Sequence, residues 1–182
     1  MIQFEIYTDG SSKKDKKVQF GGYAYIITTN GGIIHVHQGH CINATNNQME
    51  MTAILESCRT VEKICEENDF TEYKVTIYSD SAYCINCYKE EWYINWIKNG
   101  WKTASKQNVL NKELWQLLVP YFEKINFDFR KVAGHSDNTF NNYADRLAQK
   151  EADSIKSLYL TEKKENENVD TSDSNKWGAP IW

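Results

Sequence analysis

The segment Asn30-Gly31-Gly32 constrains this chain more than any other short stretch. Asn and Gly tolerate the positive φ that a tight hairpin turn requires, and the runs on either side, Gly22–Thr29 and Ile33–Gly39, carry β-rich patterns. Upstream, Ile2, Phe4, Ile6 and Thr8 alternate with Gln3, Glu5 and Tyr7 in the period-two pattern of a half-buried strand, which breaks at Asp9-Gly10-Ser11-Ser12. A lysine-rich turn, Lys13 to Lys17, follows. Three sequential antiparallel strands are therefore expected, with Asp9 at the end of the first.

The pattern then changes period. Thr45 and Gln48 stand as a capping box, and Met51, Ile54, Leu55, Cys58, Val61 and Cys65 recur at helical spacing, which puts Glu50 in the first turn of a helix. Lys74–Ser79 is a short β-rich run that ends at Asp80, with a helical stretch from Ser81. Asn111–Lys124 reads as a helix, Ile125–Val132 as a strand, and Tyr143, Leu147, Ala148, Ala152 and Ile155 as the core stripe of a last helix with Asp145 in its early turns. The order β-β-β-α-β-α-α-β-α predicts a mixed sheet with helices on its faces, an architecture that binds ligands at strand ends. Beyond Leu158 the chain turns to Glu, Asn, Asp, Ser and Lys, so one domain over residues 1–157 and an acidic polar tail over 158–182, ending in an aromatic segment with Trp177 and Trp182, are expected.

Composition narrows the class. No apolar run approaches the roughly 20 residues that cross a bilayer, and the start lacks a basic segment followed by an apolar stretch, so no membrane partner and an intracellular, cytoplasmic site are expected. Five cysteines, an odd number in a chain of 182 residues, argue for reduced thiols. The net charge of −4 runs against a nucleic-acid partner. The distribution answers this, because Lys89, Lys98, Lys102, Lys106 and Lys112 face only Glu90 and Glu91 over the same segment, a local balance of +3.

Phosphodiester cleavage needs an activated water and a stabilised leaving oxyanion, and two hard cations roughly 3.5–4 Å apart supply both. Magnesium prefers oxygen ligands, so converging Asp and Glu without His or Cys form the expected site. Asp9, Glu50, Asp80 and Asp145, each near a strand or helix terminus, are the candidates. Taken one at a time, each has a plain reading as a cap or a surface charge; their joint placement carries the inference.

The chain resembles the type 1 ribonuclease H family through Tyr7-Thr8-Asp9-Gly10-Ser11, Thr45-Asn46-Asn47-Gln48-Met49-Glu50, Tyr78-Ser79-Asp80-Ser81, Asn99-Gly100-Trp101-Lys102-Thr103, Val132-Ala133-Gly134-His135 and Asn141-Asn142-Tyr143-Ala144-Asp145. These motifs keep the family's order and spacing over about residues 2–157. The resemblance implies an α/β, ribonuclease H-like fold: a mixed five-stranded sheet, three antiparallel strands then parallel strands, flanked by helices. It implies an endonuclease that hydrolyses the RNA strand of RNA/DNA hybrids by two-metal-ion catalysis with Mg2+, Mn2+ substituting, and leaves 5′-phosphate and 3′-hydroxyl ends. Asp9, Glu50, Asp80 and Asp145 match its metal-binding quartet, and His135 a histidine that shuttles protons or assists product release. Asn46, Asn47 and Gln48 match the minor-groove contacts, where 2′-hydroxyls distinguish RNA from DNA. Thr45 and Asn111 match members of a pocket for a DNA-strand phosphate, Tyr83, Trp96 and Thr103 the deoxyribose channel, and Lys102 the basic segment; Trp92 is assigned to the core. A monomer is expected.

The chain departs from the family at Asp15, where an Asn usually meets RNA, and at Asn43, where some members carry an Arg. Three other readings compete. Cys84-x-x-Cys87 with His35, His37, His40 and Cys41 raises a structural zinc site, disfavoured because nothing dictates that these residues meet. A hybrid-binding module without catalysis would break the carboxylate quartet, which is intact. Other nucleases of the same fold lack the Thr45-Asn46-Asn47 and Trp101-Lys102-Thr103 signatures.

Overall fold

The computed structural model describes residues 1–124, 127–132 and 138–166. Its elements are β1 (Ile2–Asp15), β2 (Val18–Thr29), β3 (Gly32–Ile42), α1 (Asn46–Glu67), β4 (Tyr73–Ser79), α2 (Ala82–Lys89), α3 (Trp92–Lys98), α4 (Lys112–Phe122), β5 (Phe127–Lys131) and α5 (Thr139–Asn166). The strands form one five-stranded sheet in the order β3-β2-β1-β4-β5. The β1–β2 and β2–β3 pairs are antiparallel, and β1–β4 and β4–β5 are parallel, which is the expected mixed sheet.

Local chemistry accounts for the elements. Asn30 and Gly31 sit at φ of 51° and 77°, the two positive values that a two-residue hairpin needs to match the twist of its strands. Thr45 caps α1 reciprocally: its hydroxyl accepts from the Gln48 N–H at 3.3 Å and its own N–H donates to Gln48 Oε1 at 2.8 Å. Met51, Ile54, Leu55, Cys58, Val61 and Cys65 are all buried, so the helical stripe read from sequence is the face that meets the sheet.

Three boundaries differ from the sequence reading in ways that matter. The first strand does not end at Asp9; it runs on to Asp15, with Asp9 opposite Ala24 and Ser12 opposite Gly21. Only its parallel partner stops there, since pairing with β4 ends at Tyr7 opposite Tyr78. Asp9 thus lies mid-strand, just past the point where its neighbour peels away. Lys13 and Lys14 consequently belong to β1, and the turn is Lys16-Lys17 alone. The helical stretch after Asp80 is two helices, not one, because the backbone breaks at Glu91, which adopts a left-handed φ of 52°. Helix α5 continues past Leu158 to Asn166, and Tyr159 packs edge-on against Phe20.

One helix packs on each face of the antiparallel half of the sheet. On the first, α1 covers Phe4, Ile6, Tyr23, Tyr25 and Ile27, with α4 and the fully buried Trp115 completing that core. On the other, α5 meets Tyr7 and Ile26 through Ala144. That contact is close: a Cβ built on Gly22 would fall 2.2 Å from the Ala148 carbonyl oxygen and 2.5 Å from the Ala152 nitrogen. Glycine opposite a seam of alanines lets helix and strand touch backbone to backbone, and so sets the depth at which Asp145 sits. All five cysteines are free and buried. Among the described residues no helix is long and apolar enough to cross a membrane.

Gly22→Ala should therefore cost about 1–3 kcal/mol through forced separation of α5 from β2. Gly32→Ala, whose added Cβ meets only ordinary contact at 3.7 Å, should change stability by less than about 0.5 kcal/mol. Urea denaturation of the two variants, read as midpoint shifts, checks the contrast.

Candidate active site

Four acidic side chains come from four elements, and Asp9 lies within electrostatic range of the other three. Asp9 comes from the middle of β1, Glu50 from α1 just past its first turn, Asp80 from the residue after β4, and Asp145 from the second turn of α5. The approach of β1 to α1 is again a glycine contact: a Cβ on Gly10 would lie 2.2 Å from the Glu50 nitrogen and 2.5 Å from the Met49 carbonyl carbon. Nothing larger than glycine can follow Asp9 without pushing Glu50 away.

The electrostatics record this crowding. Burial, and then the charges of Asp80, Asp145 and Glu50, push the Asp9 carboxyl up to about 8, against the single N–H that Gly10 donates to Asp9 Oδ1 at 2.7 Å. Asp9 is only 7% exposed, so solvent does little to screen its neighbours. Burial also raises the Glu50 carboxyl, with Asp80 adding repulsion, while hydrogen bonds from Ser81 and Asn46 oppose the rise. Those bonds are short and directed: the Ser81 hydroxyl donates to Glu50 Oε2, and Asn46 Nδ2 donates to Oε1 at 2.7 Å. Asp145 accepts from Gln149 Nε2 at 2.6 Å.

Among the described residues no three His, Cys, Asp or Glu side chains already converge as tightly as a metal cage requires. Separate donors instead hold Asp9, Glu50 and Asp145: the Gly10 N–H, Asn46 with Ser81, and Gln149. The donor set itself suits a hard divalent cation: it is all oxygen, acidic, and without thiolate or imidazole. A cation would also relieve the repulsion that lifts the Asp9 carboxyl.

The remaining predicted residues fall into two groups. Asn46, Asn47 and Gln48 begin α1 beside Glu50, but two of them have internal work: Asn46 steadies the Glu50 carboxylate and Gln48 closes the capping box. Tyr83, Trp96 and Trp101 form an aromatic cluster around the buried Trp115. Trp96 lies 5.6 Å from Trp115 and 6.3 Å from Trp101, centroid to centroid. The Tyr83 hydroxyl accepts from Trp115 Nε1 at 2.9 Å, donates to the Leu110 carbonyl at 3.2 Å, and is reached by the Asn111 side chain. Trp92, assigned to the core, is half-buried against Trp96 and donates its Nε1–H to Glu90 at 2.7 Å. Lys102 and Thr103 are exposed on the loop after α3. Thr45, at the cap of α1, is exposed. His135 lies outside the described residues.

The zinc reading meets a topological obstacle. Cys84 and Cys87 are buried in α2, which packs toward β5, whereas His35 and His37 ride on β3 at the opposite edge of the sheet.

Sequence reasoning missed Ser81, which caps α2 by accepting from the Cys84 N–H at 3.3 Å while its hydroxyl grips Glu50. A Ser directly after a strand-ending Asp and ahead of a helical pattern is the signal that could have found it.

Comparison with known proteins bears on the family and the fold. The RNase H family model matches residues 2–153. A protein named ribonuclease H from Caldicellulosiruptor saccharolyticus is 40% identical over 149 residues, covering 82% of this chain and 95% of that protein. Among solved structures, the PFV RNase H domain aligns with a TM-score of 0.66 at 20% identity, covering 83% of this chain and 94% of that one. LC11-RNase H1, solved in complex with an RNA/DNA hybrid, aligns with a TM-score of 0.56 at 19% identity over 83% of this chain and 97% of that one. The strand order, the four acids on four elements and the match over residues 2–153 carry one conclusion: this chain belongs to the ribonuclease H family and is a type 1 ribonuclease H hydrolase.

Proposed function

We propose that this chain cleaves the RNA strand of RNA/DNA hybrids at the cleft formed by Asp9, Glu50, Asp80 and Asp145, leaving 5′-phosphate and 3′-hydroxyl ends. The observation that carries the reading is the placement of four acids from four elements around Asp9, which is buried and lies within electrostatic range of Glu50, Asp80 and Asp145. The name borne by the relative at 40% identity and the hybrid bound to LC11-RNase H1 support the substrate class. Two magnesium ions held by the four acids, with manganese able to replace them, would supply an activated water and stabilise the departing oxygen. The protein's own residues prepare the cleft for this. Ser81 and Asn46 fix the rotamer of Glu50, Gln149 fixes Asp145, and the Gly10 contact keeps Asp9 and Glu50 at close range. His135, by its match to the family's histidine, would move a proton or assist product release.

Substrate selection follows from the two flanking groups. Asn46, Asn47 and Gln48, at the start of α1, would meet 2′-hydroxyls, and Thr45 and Asn111 would take a DNA-strand phosphate. Tyr83, Trp96 and Thr103 would form an apolar wall that accepts deoxyribose on the other strand, with Lys102 supplying charge to the backbone.

Asp9→Asn removes charge with little change of shape, so hybrid cleavage should fall at least ~10³-fold, about 4 kcal/mol of barrier, while circular dichroism stays unchanged. Retention of full activity would refute the assignment.

The raised Asp9 carboxyl has a definite sign in stability. Its folded pKa lies above the ordinary carboxylate range, so the fold binds more protons there and stability falls as pH rises from about 4 to about 8. In chelator, Asp9→Asn should accordingly gain on the unaltered chain, by on the order of 2 kcal/mol at pH 8 and by much less at pH 5. Magnesium at ~100 times its dissociation constant should raise the melting temperature of the unaltered chain by roughly 5–10 °C. Calorimetry at the two pH values, with and without magnesium, reads both effects.

A hybrid with consecutive ribonucleotides should be cut efficiently, and a single ribonucleotide embedded in duplex DNA should not, because one sugar cannot satisfy Asn46 and Asn47 together. Each unpaired amide would penalise the wrong substrate by about 1–3 kcal/mol. Equal cleavage of the two duplexes in a gel assay would overturn this account of specificity.

A further inference from the structure

The last turns of α5 lie beyond the segment that matches the family, residues 2–153, and they build something of their own against the tip of the β1–β2 hairpin. Tyr159 meets Phe20 edge to face with ring centroids 5.2 Å apart, and Val18 and Leu160 extend this apolar floor. Around it stand Lys16 and Lys17 from the hairpin turn and Lys163 and Lys164 from the helix, enclosing a groove of about 430 Å³. That volume falls in the range of small-molecule sites, roughly 300–1,000 Å³. Asp15 is the single carboxylate on the lining, outnumbered by the four lysines. Among the described residues Lys16, Lys17 and Lys163 take part in no ion pair. In a protein of net charge −4 this is a concentrated basic pole.

We propose that this groove binds a single-stranded nucleic-acid flank continuing from the duplex held at the carboxylate cleft. The proposal rests on the hybrid-cleavage reading above and adds a second contact to it. The rim supplies cations for phosphates, and the floor supplies an aromatic and aliphatic surface for an unpaired base, the combination by which proteins hold single strands. A duplex offers phosphates but keeps its base faces stacked inside, so it would use the rim and leave the floor empty. Placement is suitable: Asp145 and Lys163 stand on the same helix, about 27 Å apart at 1.5 Å per residue, so a strand leaving the cleft along α5 reaches the groove.

The test compares binding, in chelator, of a short blunt hybrid and of the same hybrid carrying a single-stranded extension long enough to reach the groove. The unaltered chain should bind the extended form roughly tenfold more tightly. The variant Lys16→Gln/Lys17→Gln/Lys163→Gln/Lys164→Gln should lose this gain, and its salt dependence for the extended form should become shallower by about 2–3 in d log K/d log[salt]. Tyr159→Leu, which keeps an apolar contact with Phe20 but removes the ring, should lose most of the gain with the lysines intact. Equal affinity of the unaltered chain for both forms, or an undiminished gain in either variant, would overturn the proposal. Cleavage of the blunt hybrid with magnesium, measured on the same proteins, keeps the two readings apart. Its absence in the unaltered chain would refute hybrid cleavage, while the groove is judged from binding alone; in Tyr159→Leu, which leaves the rim intact, it should be unchanged.

Discussion

The structure depends on bringing four like charges together inside a fold that would otherwise push them apart. Two backbone contacts impose this. At Gly10 the first strand presses against α1 with no room for a side chain, and at Gly22 the second strand presses against the alanine seam of α5. These contacts bury apolar surface on both faces of the sheet, and that burial holds Asp9 within reach of Glu50 and Asp145. Hydrophobic packing is thus the force that sustains an electrostatically unfavourable cluster. The raised Asp9 carboxyl shows the strain of that arrangement in chemical form.

The hydrogen bonds around Glu50 show how the remainder is contained. Ser81 belongs to the cap of α2 and Asn46 to the first turn of α1, so two helix starts converge on one carboxylate. A residue that caps a helix has its rotamer set by the backbone, and a side chain held this way can orient a neighbour without large entropy loss. The aromatic patch on the other flank uses the same economy. Trp115 is wholly buried, and Trp96 and Tyr83 pack on it, so the aromatic cluster is anchored in the core.

Much of this was legible in the sequence because the decisive signals are local. The Asn30-Gly31 turn, the Thr45–Gln48 box and the stripe from Met51 to Cys65 each depend on a few neighbouring residues, and each appears where its pattern places it. The four acids were legible through their motifs. What the pattern misplaced was the extent of β1: a polar run, Asp9-Gly10-Ser11-Ser12, reads as a turn, yet it stays in the sheet because β2 supplies an antiparallel ladder across from it. The break at Glu91 escaped because a left-handed residue without glycine leaves no compositional mark. The Ser81–Glu50 bond joins residues 31 apart, a distance over which periodicity carries no information.

The end of the parallel pairing at Tyr7 and Tyr78, whose rings stack at 4.9 Å, bears on the order in which this chain assembles. The hairpins β1–β2 and β2–β3 close through turns of two residues, whereas β1–β4 joins residue 2 to residue 73 across the whole of α1. Closing so long a loop is the entropically slow step, and contacts of this range dominate folding times. Asp80 rides on the far end of that pairing and Asp145 on a helix later still. The three-stranded meander with α1 can therefore gather its hydrophobic contacts while only Asp9 and Glu50 are near one another. The last two acids thus ride on the elements whose contacts close the longest loops of the chain.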